Sequence, residues 1–286
     1  MAAAIHPAGQ PEGIALPTAT AHIPRLLTIA GTDPSGGAGQ SADMKTFSAL
    51  GAYATSVITA VVAQNTRGVR DVLPMPQPMI RAQLDAVFED IALDGVKIGM
   101  VADTITARII REAIEHYRPP FVVLDPVMVA KSGDVLVDDD GIRAVRELLV
   151  PISDVITPNL PEAAVLLDEP VPDTPAAMSA LLPRLAALGA PNVLLKGGHL
   201  QGERCDDLFH DGDGEHQLPA RRIPTRSLHG AGCTLASAIA ALRPRHDGWL
   251  ATVREARQYM TQALEQADRL GVGHGQGPLH HFHAWW

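Results

Sequence analysis

Cysteine is scarce: Cys205 and Cys233 are the two thiols in 286 residues. Without a Cys-x-x-Cys pair, a disulfide framework is excluded and a reducing, cytoplasmic setting is expected. Clustered positive charge is also missing. A formal net charge of −9, a pI near 5.7 and the lack of any Lys/Arg cluster of five or more argue against a nucleic-acid or anionic-membrane surface. They leave room for an anionic small substrate, because a few local donors hold a phosphate on an acidic protein. No apolar stretch approaches ~18 residues, so no membrane-spanning helix is expected. Aromatic residues make up only 4%, yet apolar residues reach 46%, the composition of a packed globule. Residues 1–24, rich in Ala, Pro and Gly, lack a basic start and a continuous apolar run. They read as a loose leader rather than a signal peptide, ahead of one domain over 25–286.

What is present alternates. Leu26–Ala30 is a short apolar run ending in a glycine-rich turn, and Ala38–Leu50 follows as a helix stopped by Gly51. Thr55–Ala63 reads as one β-branched strand. Ile80, Leu84, Val87, Phe88 and Ile91 fall at helical spacing. VKIGM, FVVLD, DVIT and NVLLK read as further strands, separated by helices near Thr104–His116, Gly141–Leu149 and Ala176–Leu188. DLFHDGDGEHQLPARRI has the pattern of a hairpin on the sheet edge. Helices near Ala231–Leu242 and Ala251–Leu270 close the chain. Apolar, non-alternating strands between helices predict an α/β fold, with a mostly parallel central sheet flanked by helices on both faces.

Such sheets bind ligands at the carboxyl ends of their strands. The first strand ends in Gly31–Gly39, GTDPSGGAG. Gly31 and Gly36 have the Walker spacing, but Gly37 and Ala38 stand where Lys and Ser/Thr are required. The stretch is either a tight turn or a backbone bare enough for a flat ligand to approach. The next ends carry Gln64, Met100 and Asp125, the last a candidate for a metal or a substrate hydroxyl. Asn159 and Glu162 have the spacing of a helix capping box and also offer an amide and a carboxylate for water-bridged Mg²⁺, and the two readings are compatible. Lys196, followed by two glycines, is either a snorkelling surface residue or a cation aimed at phosphate oxygens. His280, His281 and His283 lack an acidic or thiol companion, so packing of the aromatic tail is expected rather than a metal site.

Gly230-Ala231-Gly232-Cys233 opens a helix of small residues, where bare N–H groups and positive potential make an anion hole. A thiol there is expected to have its pKa lowered from ~8.5. Three roles stand for Cys233: a nucleophile without an identifiable histidine, since His229 points elsewhere; a buried structural thiol; or a base beside a phosphoryl acceptor. Only the third uses the anion hole, and phosphoryl transfer asks little of a base.

AGTDPSGGAGQSADMKTFSALGAY, VVAQNT, KIGM, LDPVM, KSGD, TPNLPEA, KGGH, HGAGCTLASAIAALRPRH and GPLHHFHAWW together resemble the hydroxymethylpyrimidine/phosphomethylpyrimidine kinases of thiamin biosynthesis, within the ribokinase-like superfamily. The similarity runs from about Leu26 to Trp286. It implies a ribokinase-like fold, ATP as co-substrate, Mg²⁺, and two successive phosphorylations of 4-amino-5-hydroxymethyl-2-methylpyrimidine. It also implies that Gly31, Ala38, Asp43, Val62, Gln64 and Met100 line the pyrimidine pocket. By the same likeness Asn159 and Glu162 form the magnesium motif, Lys196 and Asp125 lie on the phosphate side, and Lys131-Ser132-Gly133-Asp134 form a flap. GAGC stands where sugar kinases carry GAGD, so Cys233 takes the place of the aspartate base. A homodimer is the family expectation, and QSAD at Gln40–Asp43 departs from the apolar start expected there. The rivals are a pyridoxal or pyridoxine kinase, a non-catalytic pyrimidine binder on the same scaffold, and a cysteine-dependent transferase.

Overall fold

The computed structural model of the protein describes residues 22–101, 103–128 and 137–286. Among these, the chain runs β1 (Arg25–Ala30), α1 (Gly39–Ala49), β2 (Tyr53–Ile58), β3 (Ala60–Asn65), β4 (Gly68–Pro74), α2 (Gln77–Asp90), β5 (Gly95–Ile98), α3 (Thr104–Tyr117) and β6 (Val122–Leu124). It continues through α4 (Asp139–Ala144), β7 (Val155–Ile156), α5 (Leu160–Leu167), α6 (Pro175–Ala186), β8 (Asn192–Leu195), β9 (Asp207–Asp211), β10 (Gly214–Leu218), α7 (Ala231–Leu242) and α8 (Trp249–Glu265).

Eight strands form one sheet in the order β10-β9-β8-β7-β6-β5-β1-β2. Neighbours from β2 to β8 are parallel; β9 and β10 add an antiparallel hairpin at the edge, where the DGDG turn predicts it. β1 pairs with β2 on one side and β5 on the other. The connections leave in opposite directions there and open a crevice beyond the carboxyl ends of β1 and β5.

The strands are apolar throughout because both faces are covered. Leu27 and Ile29 of β1 join Ile80 and Leu84 of α2 and Ile110 of α3 on one face. Leu26 faces the other way, toward Phe47 of α1, Leu235 and Ile239 of α7 and Val253 of α8. β6 repeats this alternation: Val122 and Leu124 lie in the first cluster and Val123 in the second.

The expected single strand at Thr55–Ala63 is two. It breaks at Thr59, whose N–H donates to Ala30 O and whose hydroxyl donates to Met100 O at 3.0 Å. After the break, β3 leaves the sheet and pairs antiparallel with β4 in a separate two-stranded ribbon. β4 itself is absent from the sequence reading, because its largely exposed GVRDVLP carries no apolar alternation.

The helix expected at Gly141–Leu149 begins at Asp139, capped by Asp138, and widens into a π-helical turn over Val145–Leu149. Of the leader, residues 1–21 lie outside the described residues, as does the flap at Lys131–Asp134. His22 bonds Asp94 at 2.8 Å. The carboxyl-terminal tail packs as expected. His281 bonds Thr234 at 3.0 Å, Tyr259 donates to the His281 carbonyl at 2.7 Å, and the His280 and Trp286 rings stand 4.8 Å apart.

Candidate active site

The strand ends bring most of the candidate residues into two adjoining groups. The first lies beyond β1. A Cβ on Gly31 would stand 2.7 Å from Met100 Cε and 3.6 Å from Val62 Cγ2, so these three residues meet as one wall. Ala38 is held beside them by its N–H, which donates to Asp33 at 2.7 Å, and Gln64 reaches the same carboxylate.

The glycines of this loop serve contacts between protein segments. Gly39 has φ +53° and a Cβ there would lie 2.5 Å from Gly31 O. Gly230 has φ +80° and a Cβ there would lie 1.8 Å from Gly37 O. The loop after β1 and the start of α7 therefore touch backbone to backbone.

The second group lies beyond β6, β7 and β8. Lys196 Nζ stands 3.1 Å from Asp125 Oδ1 and 3.8 Å from Glu162 Oε2. Thr157 Oγ1 donates to Asp125 Oδ1 at 3.2 Å. The capping box at the start of α5 is complete: Glu162 N–H donates to Asn159 Oδ1 and Asn159 N–H to Glu162 Oε2, both at 2.8 Å. Asn159 thus spends its amide oxygen on holding Glu162 in place.

Burial first, and then Asp125, push Glu162 up to about 7 against the pull of Lys196. Lys196 is raised despite burial, by Asp125 and Glu162. Gly232 completes the group, since a Cβ on it would meet Asp125 Oδ2 at 3.2 Å and Lys196 Nζ at 3.3 Å. The first turn of α7 has no side-chain cap; the Ala231 N–H donates to Leu228 O at 3.2 Å, and Gly232 is the residue of that turn that stands against the cluster.

Beneath these groups lies an ion pair that sequence reading missed. Lys97, at the centre of β5, and Asp43 of α1 are both fully buried. Lys97 Nζ donates to both Asp43 oxygens at 2.9 Å, with Thr28 of β1 donating at 2.6 Å and Ser237 of α7 at 2.7 Å. Asp43 is therefore not a wall of the pocket. Its oxygens are engaged by the protein's own donors, and it reaches the site only through what it holds. The signal was a lysine in an otherwise apolar strand, which requires a buried counter-charge.

Cys233 corrects a second expectation. Burial, with Asp43 and Asp125 adding to it, pushes its thiol up to about 12, against Lys97 and the Gly39 N–H. The helix start does not make a thiolate here, because drying the sulfur outweighs the positive potential. His229 gives it no partner: its Nε2 lies 2.7 Å from Asp33 Oδ2. A cysteine-dependent transferase is disfavoured on both counts.

Two predictions follow from this geometry. Replacing Lys97 by Met leaves a buried, unpaired carboxylate and should cost about 3–5 kcal/mol in urea unfolding. Adding Asp43→Leu should return part of that loss, and a cost below about 1 kcal/mol for Lys97→Met would contradict the pairing. Cys233 should resist iodoacetamide at neutral pH, its alkylation rate rising toward an inflection near pH 12, read by mass spectrometry. An inflection below the ordinary thiol value would contradict the dry environment.

A sequence model described as phosphomethylpyrimidine kinase matches residues 33–280. The hydroxymethylpyrimidine/phosphomethylpyrimidine kinase of Escherichia coli strain K12 is 54% identical over 260 residues, covering 91% of this chain and 98% of its own. The enzyme of that name from Rhizobium meliloti strain 1021 is 48% identical, covering 91% and 97%. Among solved structures, the phosphomethylpyrimidine kinase of Clostridium difficile 630 shares 38% identity with a TM-score of 0.75, covering 84% of this chain and 99% of its own. The ADP complex of Bacillus subtilis pyridoxal kinase shares 33% identity with a TM-score of 0.84, covering 91% and 98%. The fold alone is thus common to pyrimidine and pyridoxal kinases, but a family model over most of the chain and relatives identical at about half their positions discriminate: this chain belongs to the phosphomethylpyrimidine kinase family.

Proposed function

We propose that the protein transfers the terminal phosphoryl group of ATP to the hydroxymethyl oxygen of 4-amino-5-hydroxymethyl-2-methylpyrimidine, and then to the resulting monophosphate. The observation that carries this reading is the convergence of an uncapped helix start with Asp125 and Lys196, next to the wall formed by Gly31, Val62 and Met100. One side holds a flat acceptor and the other takes transferred negative charge.

In this reading Gly31, Ala38, Val62 and Met100 contact the ring, and the Gln64 amide bonds its amino group. The Gly232 and Cys233 N–H groups, with Lys196, face the charge that gathers on the phosphoryl oxygens during transfer. The neutral Cys233 thiol lies beside the acceptor oxygen and orients it. A loose transition state asks for little proton removal before bond breaking, so a thiol suffices where sugar kinases use a carboxylate.

The donor set also fits Mg²⁺. Among the described residues no group of three or more His, Cys, Asp or Glu side chains forms a cage. Mg²⁺ is usually held by one or two carboxylates, with waters and substrate phosphates supplying the rest. Two buried carboxylates, Asp125 and Glu162, have the single ammonium of Lys196 within 4 Å among the described residues. Asp125 and Glu162 are the residues to hold the ion, Glu162 through water and fixed by Asn159. Bound there, Mg²⁺ would neutralise phosphate charge.

A homodimer and a cytoplasmic setting belong to the same proposal. The outward Val61 and Leu73 of the β3–β4 ribbon, 46% and 66% exposed, offer a face for a second copy. No helix among the described residues is long and apolar enough to cross a membrane.

Product analysis tests the proposal: ATP with the hydroxymethylpyrimidine or with pyridoxal, each with and without Mg²⁺, followed by phosphorus NMR. The expected result is a pyrimidine monophosphate, then a diphosphate, with product formation lost in EDTA. Phosphorylated pyridoxal without any pyrimidine diphosphate would move the substrate to the other ring.

A further inference from the structure

Asp33 and His229 stand 196 positions apart in the chain and meet at 2.7 Å. The Asp33 carboxylate is 1% exposed. Its Oδ1 accepts from Ser35 N–H at 2.9 Å and Ser35 Oγ at 2.7 Å; its Oδ2 accepts from Gly37 N–H at 3.1 Å and Ala38 N–H at 2.7 Å. Burial alone would raise Asp33, but the bonds from His229, Ser35 and Gln64 hold it well below the usual carboxylate range. An ionised carboxylate only accepts, so His229 carries a proton on Nε2 and donates it here. That nitrogen, protonated and bonded to Asp33, has no lone pair to serve as a base for Cys233.

The placement of the pair gives it a consequence. Asp33 organises the loop that carries Gly31 and Ala38, while His229 immediately precedes Gly230, the residue that starts α7. The two segments also press on one another: a Cβ on Gly37 would lie 2.5 Å from His229 Cδ2. Each segment has other anchors. The Asp33 loop keeps its bonds to Ser35, Gly37 and Ala38, and α7 keeps the Ser237 bond to Asp43 at 2.7 Å. Losing the imidazole therefore leaves both segments folded, with the Gly37–Gly230 backbone contact and the Gly39 N–H bond to Cys233 still in place, and removes the side-chain bond between their tips.

We propose that the Asp33–His229 hydrogen bond is a positioning pair, which sets the separation between the acceptor pocket and the phosphoryl-binding start of α7. This rests on the kinase reading above. Each substrate touches mainly its own segment, so binding one at a time needs little of the pair. Transfer needs both in register, and a misplacement of about 1 Å is enough to slow a reaction roughly 100-fold.

The test compares wild type, His229→Ala and His229→Gln as full chains, on whichever acceptor the wild type phosphorylates. Gln places an amide donor near the position of the imidazole Nε2. His229→Ala should lower kcat by at least about 30-fold, with both KM values within about 3-fold and the melting temperature nearly unchanged. It should also release more than one ADP per phosphorylated acceptor, as water competes in a misaligned site. His229→Gln should restore most of kcat and bring that ratio back toward one. A kcat within about 3-fold of wild type would overturn the proposal. So would a loss carried by KM or by melting temperature, or one that Gln does not restore. A wild type that phosphorylates only pyridoxal would overturn the substrate reading and leave this comparison valid.

Discussion

The buried Lys97–Asp43 pair is the constraint on which the arrangement of the site depends. A desolvated lysine in the middle of an apolar strand is tolerated only with a counter-charge in contact. Asp43 meets that need, and its hydrogen bonds reach four elements at once: α1, which carries it, β5 through Lys97, β1 through Thr28 and α7 through Ser237. Ser237 lies one helical turn beyond Cys233. The start of α7 is thereby fixed against the carboxyl ends of β1 and β5, where the chain connections open a crevice. The polar network is expensive to bury and permits few alternative packings, which suits a site whose backbone donors must be in place before substrate arrives.

Above that network, charge is distributed unevenly, and the unevenness is chemical information. Asp125 and Glu162 share one ammonium, Lys196, so the strand-end cluster is short of positive charge. The first turn of α7 and its bare glycines supply donors without supplying a full charge. A cluster of this kind accepts a phosphate–cation complex better than either component alone. Cys233 lies among Lys97, Asp43 and Asp125, and its environment keeps it neutral. In the proposed kinase reading, the site would rely on orientation and electrostatics rather than on a strong base or nucleophile.

Much of this was legible in the sequence. Reading the residue after each apolar strand located Asp125, Lys196, Asn159 and Glu162, because a parallel sheet sends all those ends to one side. The GAGC segment announced a helix start, and α7 begins there. What escaped did so for physical reasons. The family resemblance assigns Asp43 to the pocket, and pattern alone does not pair it with a lysine 54 positions away. The thiol was misjudged because a helix start is visible in sequence while desolvation is a property of the packed whole. Strand β4 hid because one exposed ribbon needs no apolar periodicity, and the glycines of the β1 loop serve close contacts between segments that pattern does not reveal.

A crystal structure of the protein with ADP, aluminium fluoride, Mg²⁺ and the hydroxymethylpyrimidine would test the central claim most directly. The fluoride complex should lie against the Gly232 and Cys233 N–H groups, with Lys196 beside it and the hydroxymethyl oxygen in line near Cys233. A fluoride complex bound away from the start of α7, or a pyrimidine seated away from Gly31, Val62 and Met100, would contradict it.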